Sequence, residues 1–149
     1  MTYLLHTNGD WVQLVVRVTL GIVFFAHGAQ KMLGWFKGPG LKNSIKALTD
    51  HMHIPAALGF LAIAAEFFGG LGLIVGLLSR IAAAGVVVIM VVAIVLVHGR
   101  YGLFLNWFGD REGHGYEYHL LALALAIVVI IRGSGALSVD HFLFTAMFT

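Results

Sequence analysis

Glu66 stands near the middle of an apolar run, Ile54 to Leu78, and the apolar run before it carries Arg17, His27 and Lys31. An ionisable side chain at the centre of a membrane helix costs roughly 2.5–3.5 kcal/mol on insertion scales, so such groups face a bundle interior, a cavity or one another. Glu66 lies about eleven residues from either end of its run, too deep for its short side chain to snorkel to water. It must pair with a cation, hydrogen-bond to neighbouring helices or stay protonated. A partner among Arg17, His27 and Lys31 would make it a clasp between helices; a cavity beside it would make it a proton donor.

On a helix of 3.6 residues per turn, His27 and Lys31 share a face and Arg17 points to within about 40° of Lys31. Arg17 and Lys31 are nevertheless about 21 Å apart along the axis, so they must serve opposite ends of the bundle. Each, taken alone, could also snorkel to its own interface. Asn106, Glu117 and His119 cluster around the start of the last apolar run. Asn106 can donate and accept hydrogen bonds, and Glu117 can exchange protons with water or complement a helix dipole. Glu66 and Glu117 are therefore the candidates for proton transfer, and Arg17, His27, Lys31 and Asn106 the candidates for holding a polar head group.

Redox chemistry within the chain is narrowly bounded. There is no cysteine, hence no disulfide relay, thiolate-held iron–sulfur cluster or covalent haem attachment. Neither a G-x-G-x-x-G turn nor a Walker A loop occurs. None of the eight histidines has a strong ligand spacing. His27, His98 and His119 would be the axial ligands of a buried haem, while His51, His53 and His114 fall in or beside loops; no haem or metal is expected. Electrons would have to arrive through a lipid-soluble carrier or another subunit.

The elements that must position these residues follow from composition: 60% of residues are hydrophobic, 11% are charged and the mean hydropathy is +0.94. A bilayer core of about 30 Å needs roughly 20 helical residues per crossing. The blocks predict four spans, near Trp11–Met32, Pro55–Leu78, Ile81–Val97 and Tyr116–Ile131, in one membrane domain over residues 1–149. The seam Leu78-Ser79-Arg80 demands a tight antiparallel hairpin between the second and third spans. Continuous rather than alternating apolar runs exclude a barrel.

In the first loop, Trp35 and Phe36 precede the turn Gly38-Pro39-Gly40. Leu41, Ile45, Leu48 and Met52 then share one helical face beside Lys42 and Lys46. This pattern predicts an amphipathic interfacial helix, the alternative being a plain connector. Ser138 to Thr149 is expected to form a second short helix. Met1–Asp10 has no Lys or Arg and no cleavage site follows, so the first span is expected to stay as an anchor. Lys37, Lys42, Lys46, Arg100 and Arg111 lie on the loop side against Arg80 and Arg132 on the side of the termini, which favours termini outside and loops in the cytoplasm. A net charge of +2 from few residues gives no reason to expect nucleic acid.

Arg17 with Leu20-Gly21, then His27-Gly28 and Lys31, resembles the R…LG…HG..K pattern of the DoxX family of small four-helix bacterial membrane proteins. Glu66-Phe-Phe-Gly-Gly with Leu73, Gly76 and Arg80 is similar to that family's E..GG..L..G…R segment, and Asn106, Glu117 and Gly133-Ser-Gly135…Ser138-x-Asp140 look like its C-terminal half. The resemblance implies a multi-pass protein of the bacterial plasma membrane. Some relatives act as the membrane subunit of a thiosulfate:quinone oxidoreductase and others in thiol-stress complexes. A quinone head needs hydrogen-bond donors and a proton source, and its tail an apolar groove. The expected function is thus a quinone-linked membrane subunit with protein partners, His27 or Lys31 donating, Glu66 or Glu117 delivering protons, and Arg17 and Asn106 orienting. The alternatives are a non-catalytic scaffold whose charges are interhelical clasps, and a small transporter, for which four short helices leave little room.

Overall fold

A computed structural model describes residues 5–148; Met1–Leu4 of the N-terminal segment and Thr149 of the tail lie outside the described residues. The described chain is all-helical. Helix α1 spans Trp11–Leu33. It begins where the Asp10 carboxylate accepts from the backbone N–H groups of Val12 and Gln13, and ends at Gly34, whose φ of 74° lets its N–H return to Ala29 O. After a short 3-10 turn come α2, Gly40–Met52, and α3, Ala56–Val75. Helix α4 runs Ser79–Ala93 and continues through a π turn, Ile94–His98, and a 3-10 turn, Gly99–Tyr101. Helix α5 is Glu117–Arg132 and α6 is Val139–Phe148.

The expected helix in the first loop is present as α2, with Lys42 and Lys46 exposed and Ile45 and Leu48 half-buried. Leu48 meets Gly59 on α3. The tail forms α6. The four long helices close into a ring, α1 against α3, α3 against α4, α4 against α5 and α5 against α1. Their shared core is Leu20, Phe24, Leu73, Ala83, Val86, Met90, Ala122, Ala126 and Val129. Outward-facing positions are as apolar as the core: Val15, Leu61, Phe68, Val88, Val95, Leu121 and Ile131 are all more than 60% exposed. A surface of that kind suits hydrocarbon rather than water.

Three helices are long and apolar enough to cross a membrane: Trp11–Leu33, Ala56–Val75 and Ser79–Tyr101. The fourth expected span is shorter than that standard, because α5 has 16 residues. It starts at Glu117, which the preceding turn pins by Glu117 N donating to Leu103 O at 2.8 Å, and stops at Gly133, whose φ is 85°.

The closest packing in the bundle is between antiparallel α1 and α3, and glycine makes it. A Cβ on Gly28 would fall inside the backbone of Glu66 and Phe67, one on Gly70 inside that of Phe24 and Phe25, and one on Gly21 at 2.8 Å from Ile74 N. No side chain fits at these three points, so two backbones touch along one line. The hairpin between α3 and α4 turns at Gly76, with φ of 75°, and Leu78, with φ of 49°.

Gly70→Val is expected to force α1 and α3 apart and to lower stability by about 3 kcal/mol or more. Gly85→Ala on α4, where an added Cβ meets nothing within 4 Å, serves as the matched control and leaves stability unchanged or slightly raised. Thermal unfolding of the purified protein in detergent distinguishes them; equal melting temperatures would refute the close contact.

Candidate functional site

The polar residues separate into two groups at opposite ends of the bundle. At the end that holds the termini, Arg17 is completely buried. Its Nε donates to Ser134 O at 2.7 Å, Nη1 to Leu73 O and Ile74 O, and Nη2 to Ala136 O at 3.3 Å and Leu137 O at 3.2 Å. A guanidinium has five N–H donors, and all five here meet main-chain carbonyls. The carbonyls of Leu73 and Ile74 belong to the last turn of α3, where the helix dipole favours a cation. Arg17, expected to orient a quinone, thus has its donors on main-chain carbonyls, at the far end of the bundle from Lys31.

Asp140 completes this latch. Its carboxylate is fully buried and accepts from Leu78 N at 2.7 Å, Ser79 N at 3.0 Å and Ser134 Oγ. It caps α4 from the other end of the chain and satisfies the left-handed turn at Leu78. Arg80 donates to Ile130 O, to Ile131 O at 3.0 Å and to His6 O at 2.9 Å, doing for the end of α5 what Arg17 does for α3. Gln13 Nε2 donates to Gly133 O at 2.7 Å, and an exposed pair joins Arg132 to Asp10 at 2.7 Å.

At the opposite end, Lys31 Nζ donates to both carboxylate oxygens of Glu66 at 2.6 Å. The Glu66 side chain is 7% exposed and that of Lys31 38%. Of the three cations available on α1, Lys31 is the partner because Gly28, three residues earlier, lays the α1 backbone directly on Glu66 and Phe67. Tyr118 of α5 lies within electrostatic reach of Glu66. Its ring stands edge-on to His27, with centroids 6.4 Å apart. His27 is exposed.

Beyond Tyr118 the ring contacts continue to His119, at 5.3 Å, and from His119 to His98 of the π turn, at 4.1 Å and 40° between planes. His98 Nδ1 donates to His114 O at 2.7 Å. Glu117 accepts from Leu105 N at 3.1 Å and Trp107 Nε1 at 3.3 Å, so it tethers the loop between α4 and α5. Asn106 is held inside that loop, its N–H donating to His114 Nδ1 at 3.3 Å and its Nδ2 to Arg111 O.

Two hollows meet at Tyr118. One, of about 450 Å³, is lined by Leu105, Trp107, Glu117, Tyr118, Leu120 and Leu121. The other, of about 180 Å³, is wholly apolar and runs between Thr19, Leu20 and Val23 of α1 and Leu121, Ala122 and Leu125 of α5. Tyr118 lines both, and its ring meets that of His27 on α1, so the apolar groove ends at polar groups.

Of the six candidate residues, the structure thus joins Lys31 to Glu66, sets His27 next to them across Tyr118, and places Glu117 on the wall of the larger hollow. It leaves Asn106 in the loop and Arg17 at the other end. Tyr118 is the residue that sequence reasoning missed. The signal was present: Glu117, Tyr118 and His119 are consecutive, and at about 100° per residue three successive polar side chains cannot all face outward. Among the described residues no group of three or more His, Cys, Asp or Glu gathers as a metal site.

An all-helical bundle with helices long and apolar enough to span, a half-buried ion pair between two of them and apolar outer faces defines a multi-pass membrane protein. The DoxX family profile matches residues 12–99, which is more than half of the chain and covers α1 to the end of the π turn. The chain belongs to the DoxX family. No curated protein and no solved structure matches it.

Arg17→Lys is expected to lower stability by about 2–4 kcal/mol, since one ammonium cannot reach both the end of α3 and the 134–137 segment. The loss is to be read as a fall in melting temperature together with faster proteolysis around α6. Unchanged values in both would remove the latch from this account.

Proposed function

We infer that the chain is an integral membrane subunit of a quinone-linked oxidoreductase complex, with the quinone head seated where Lys31, Glu66, His27 and Tyr118 meet. The observation that carries this reading is that Tyr118, which lines an apolar groove, lies within electrostatic reach of the half-buried ion pair. A groove between Thr19, Val23 and Leu125 suits an isoprenoid tail. At its polar end, Lys31 commits two of its three N–H donors to Glu66 and has one for a quinone carbonyl. Tyr118 supplies a hydroxyl on the adjoining wall, and Glu117 borders the larger hollow. Reduction of a quinone to a quinol takes two electrons and two protons. The electrons come from a partner protein, because the chain has no redox group of its own.

Four crossings of a bacterial plasma membrane accompany this reading, with α2 lying in the headgroup plane. Helix α5, though short, travels from the level of His98, at the end of α4, to that of Asp10, at the start of α1. That placement supports counting it as the fourth crossing. The excess of Lys and Arg in the two longer loops favours placing them in the cytoplasm. A scaffold role is the second reading, favoured by the latch in which Arg17 and Asp140 act on protein groups alone.

Trp107 lines the larger hollow, so a short-tailed benzoquinone such as decylubiquinone is expected to quench tryptophan fluorescence saturably in the purified protein. Lys31→Ala and Glu66→Gln should each weaken that binding at least tenfold, about 1.4 kcal/mol, while the protein stays folded and monodisperse. Loss of assembly in step with binding would favour the scaffold, and unsaturable quenching by the native protein would sink the quinone site.

A further inference from the structure

The loop between α4 and α5 is divided along its length. Its first half runs Leu103-Phe-Leu-Asn-Trp-Phe108 and its second Asp110-Arg-Glu112. Phe104, Trp107 and Phe108 are 62%, 76% and 90% exposed, and Leu103 is exposed with them. Facing water, these side chains would form an uncovered apolar patch on one short segment. Asp110, Arg111 and Glu112 are exposed too, so one half of the loop is apolar and the other charged.

The segment is braced from within. Tyr116 N donates to Gly102 O at 3.1 Å, Glu117 N to Leu103 O at 2.8 Å and Gly115 N to Phe104 O at 3.1 Å. Asn106 ties the interior, its N–H meeting His114 Nδ1 and its Nδ2 meeting Arg111 O. Gly115 permits the closure, because a Cβ there would fall on the backbone of residues 102–104. The rings are therefore displayed from a hairpin that satisfies these backbone groups internally, as a segment close to hydrocarbon requires.

The position of the loop shows what covers it. Leu105 and Trp107 share a hollow with Leu120 and Leu121, and the Trp107 indole N–H reaches Glu117 Oε1 at 3.3 Å. Leu120 and Leu121 are exposed residues of the first turns of α5 and belong to the outward apolar surface of the bundle. The loop thus folds back beside α5, and its apolar half is continuous with the lipid-facing surface. An indole with its N–H paired and its ring uncovered suits the boundary between head groups and acyl chains. The turn after α1 sets Trp35 and Phe36, also exposed, at the same end of the bundle.

We propose that residues 103–108 are a membrane anchor. Phe104, Trp107 and Phe108 enter the head-group and acyl boundary of the leaflet at the Lys31–Glu66 end, and Asp110, Arg111 and Glu112 stay in the aqueous layer. The partner is the phospholipid of the protein's own bilayer. A soluble protein covering the same rings would also have to lie against Leu120 and Leu121, at lipid depth. The anchor does not depend on what the neighbouring site binds. It lies beyond the residues 12–99 that the DoxX profile matches, so family membership does not supply it.

Trp11→Phe combined with Trp35→Phe leaves Trp107 as the one tryptophan of the chain. In proteoliposomes, phospholipid brominated on its acyl chains is expected to lower Trp107 fluorescence about twofold relative to the unbrominated lipid. Iodide present on both sides of the bilayer should quench it about threefold less well than it quenches free tryptophanamide. Because the chain has no cysteine, Phe104→Cys, Phe108→Cys and Glu112→Cys can each carry a single nitroxide label. The ratio of collisions with oxygen to collisions with a water-soluble nickel chelate should be about tenfold higher at 104 and 108 than at 112. Free iodide access to Trp107 without quenching by brominated lipid, or equal ratios at the three labels, would put the loop in water. Either result would overturn the anchor and leave the aromatic face to a soluble protein.

Discussion

The contact between α1 and α3 sets the geometry of everything polar in this bundle. Gly21 and Gly28 on one helix and Gly70 on the other let two backbones touch where side chains would normally hold helices 8–10 Å apart. In a membrane there is no hydrophobic gain from pressing apolar helices together, so dispersion and hydrogen bonding must hold them. The close line allows both. With the backbones in contact, Lys31 meets Glu66 at one end, and Arg17 reaches the last carbonyls of α3 at the other. Separating the helices by the thickness of a few methyl groups would weaken both interactions together.

The two ends then differ in kind. Arg17 is enclosed and saturated: its charge is balanced by helix-end carbonyls and by the nearby Asp140, and all five donors point at the main chain. Asp140 in turn caps α4 and holds the hairpin turn at Leu78. This end ties the start of α1, the turn between α3 and α4, and the start of α6 into one knot. The Lys31–Glu66 end is half-open, with the Lys31 side chain 38% exposed and an exposed histidine, His27, one turn earlier on α1. A charge built only for stability is best saturated; a charge built to meet a ligand needs an unused valence.

Much of this was legible in the sequence, for physical reasons that also mark the limits. Charges at lipid depth must be accounted for, so Glu66 announced a partner on α1, and helix rise alone separated Arg17 from Lys31. Apolar block length fixed three spanning helices closely. Helix α5, Glu117–Arg132, lies within one residue of the expected Tyr116–Ile131, but the backbone hydrogen bonds of residues 115–117 to 102–104 that set its start have no hydropathic signature. The partners of Arg17 were illegible for a similar reason. Side-chain bonds to carbonyls leave no mark in residue type, since every residue has a carbonyl. The choice of Lys31 over His27 was written in Gly28, which makes sense only once that glycine is seen as the point of backbone contact. The stacking of His98 on His119 needed the π turn, and a single extra residue in a helix is invisible to periodicity.

The opposition between clasp and ligand site, natural at the level of sequence, weakens once the valences are counted. An ammonium has three donors and the Glu66 carboxylate takes two, so Lys31 can hold α1 to α3 and still present one N–H to a carbonyl oxygen. An arginine in its place would present a planar fork that matches the carboxylate and fixes its own direction; the lysine is a point charge on a flexible stem, able to turn its third proton toward a guest without releasing Glu66. Its partial exposure gives that guest access, and the burial of Glu66 keeps the pair from dissolving into water. Helix α2 steadies the arrangement from above, since Ser44 Oγ donates to the Lys31 carbonyl at 3.4 Å and caps the end of α1 on which the ammonium sits. On the quinone reading proposed above, a binding group anchored by its own counter-ion would meet its ligand already oriented, with little left to reorganise.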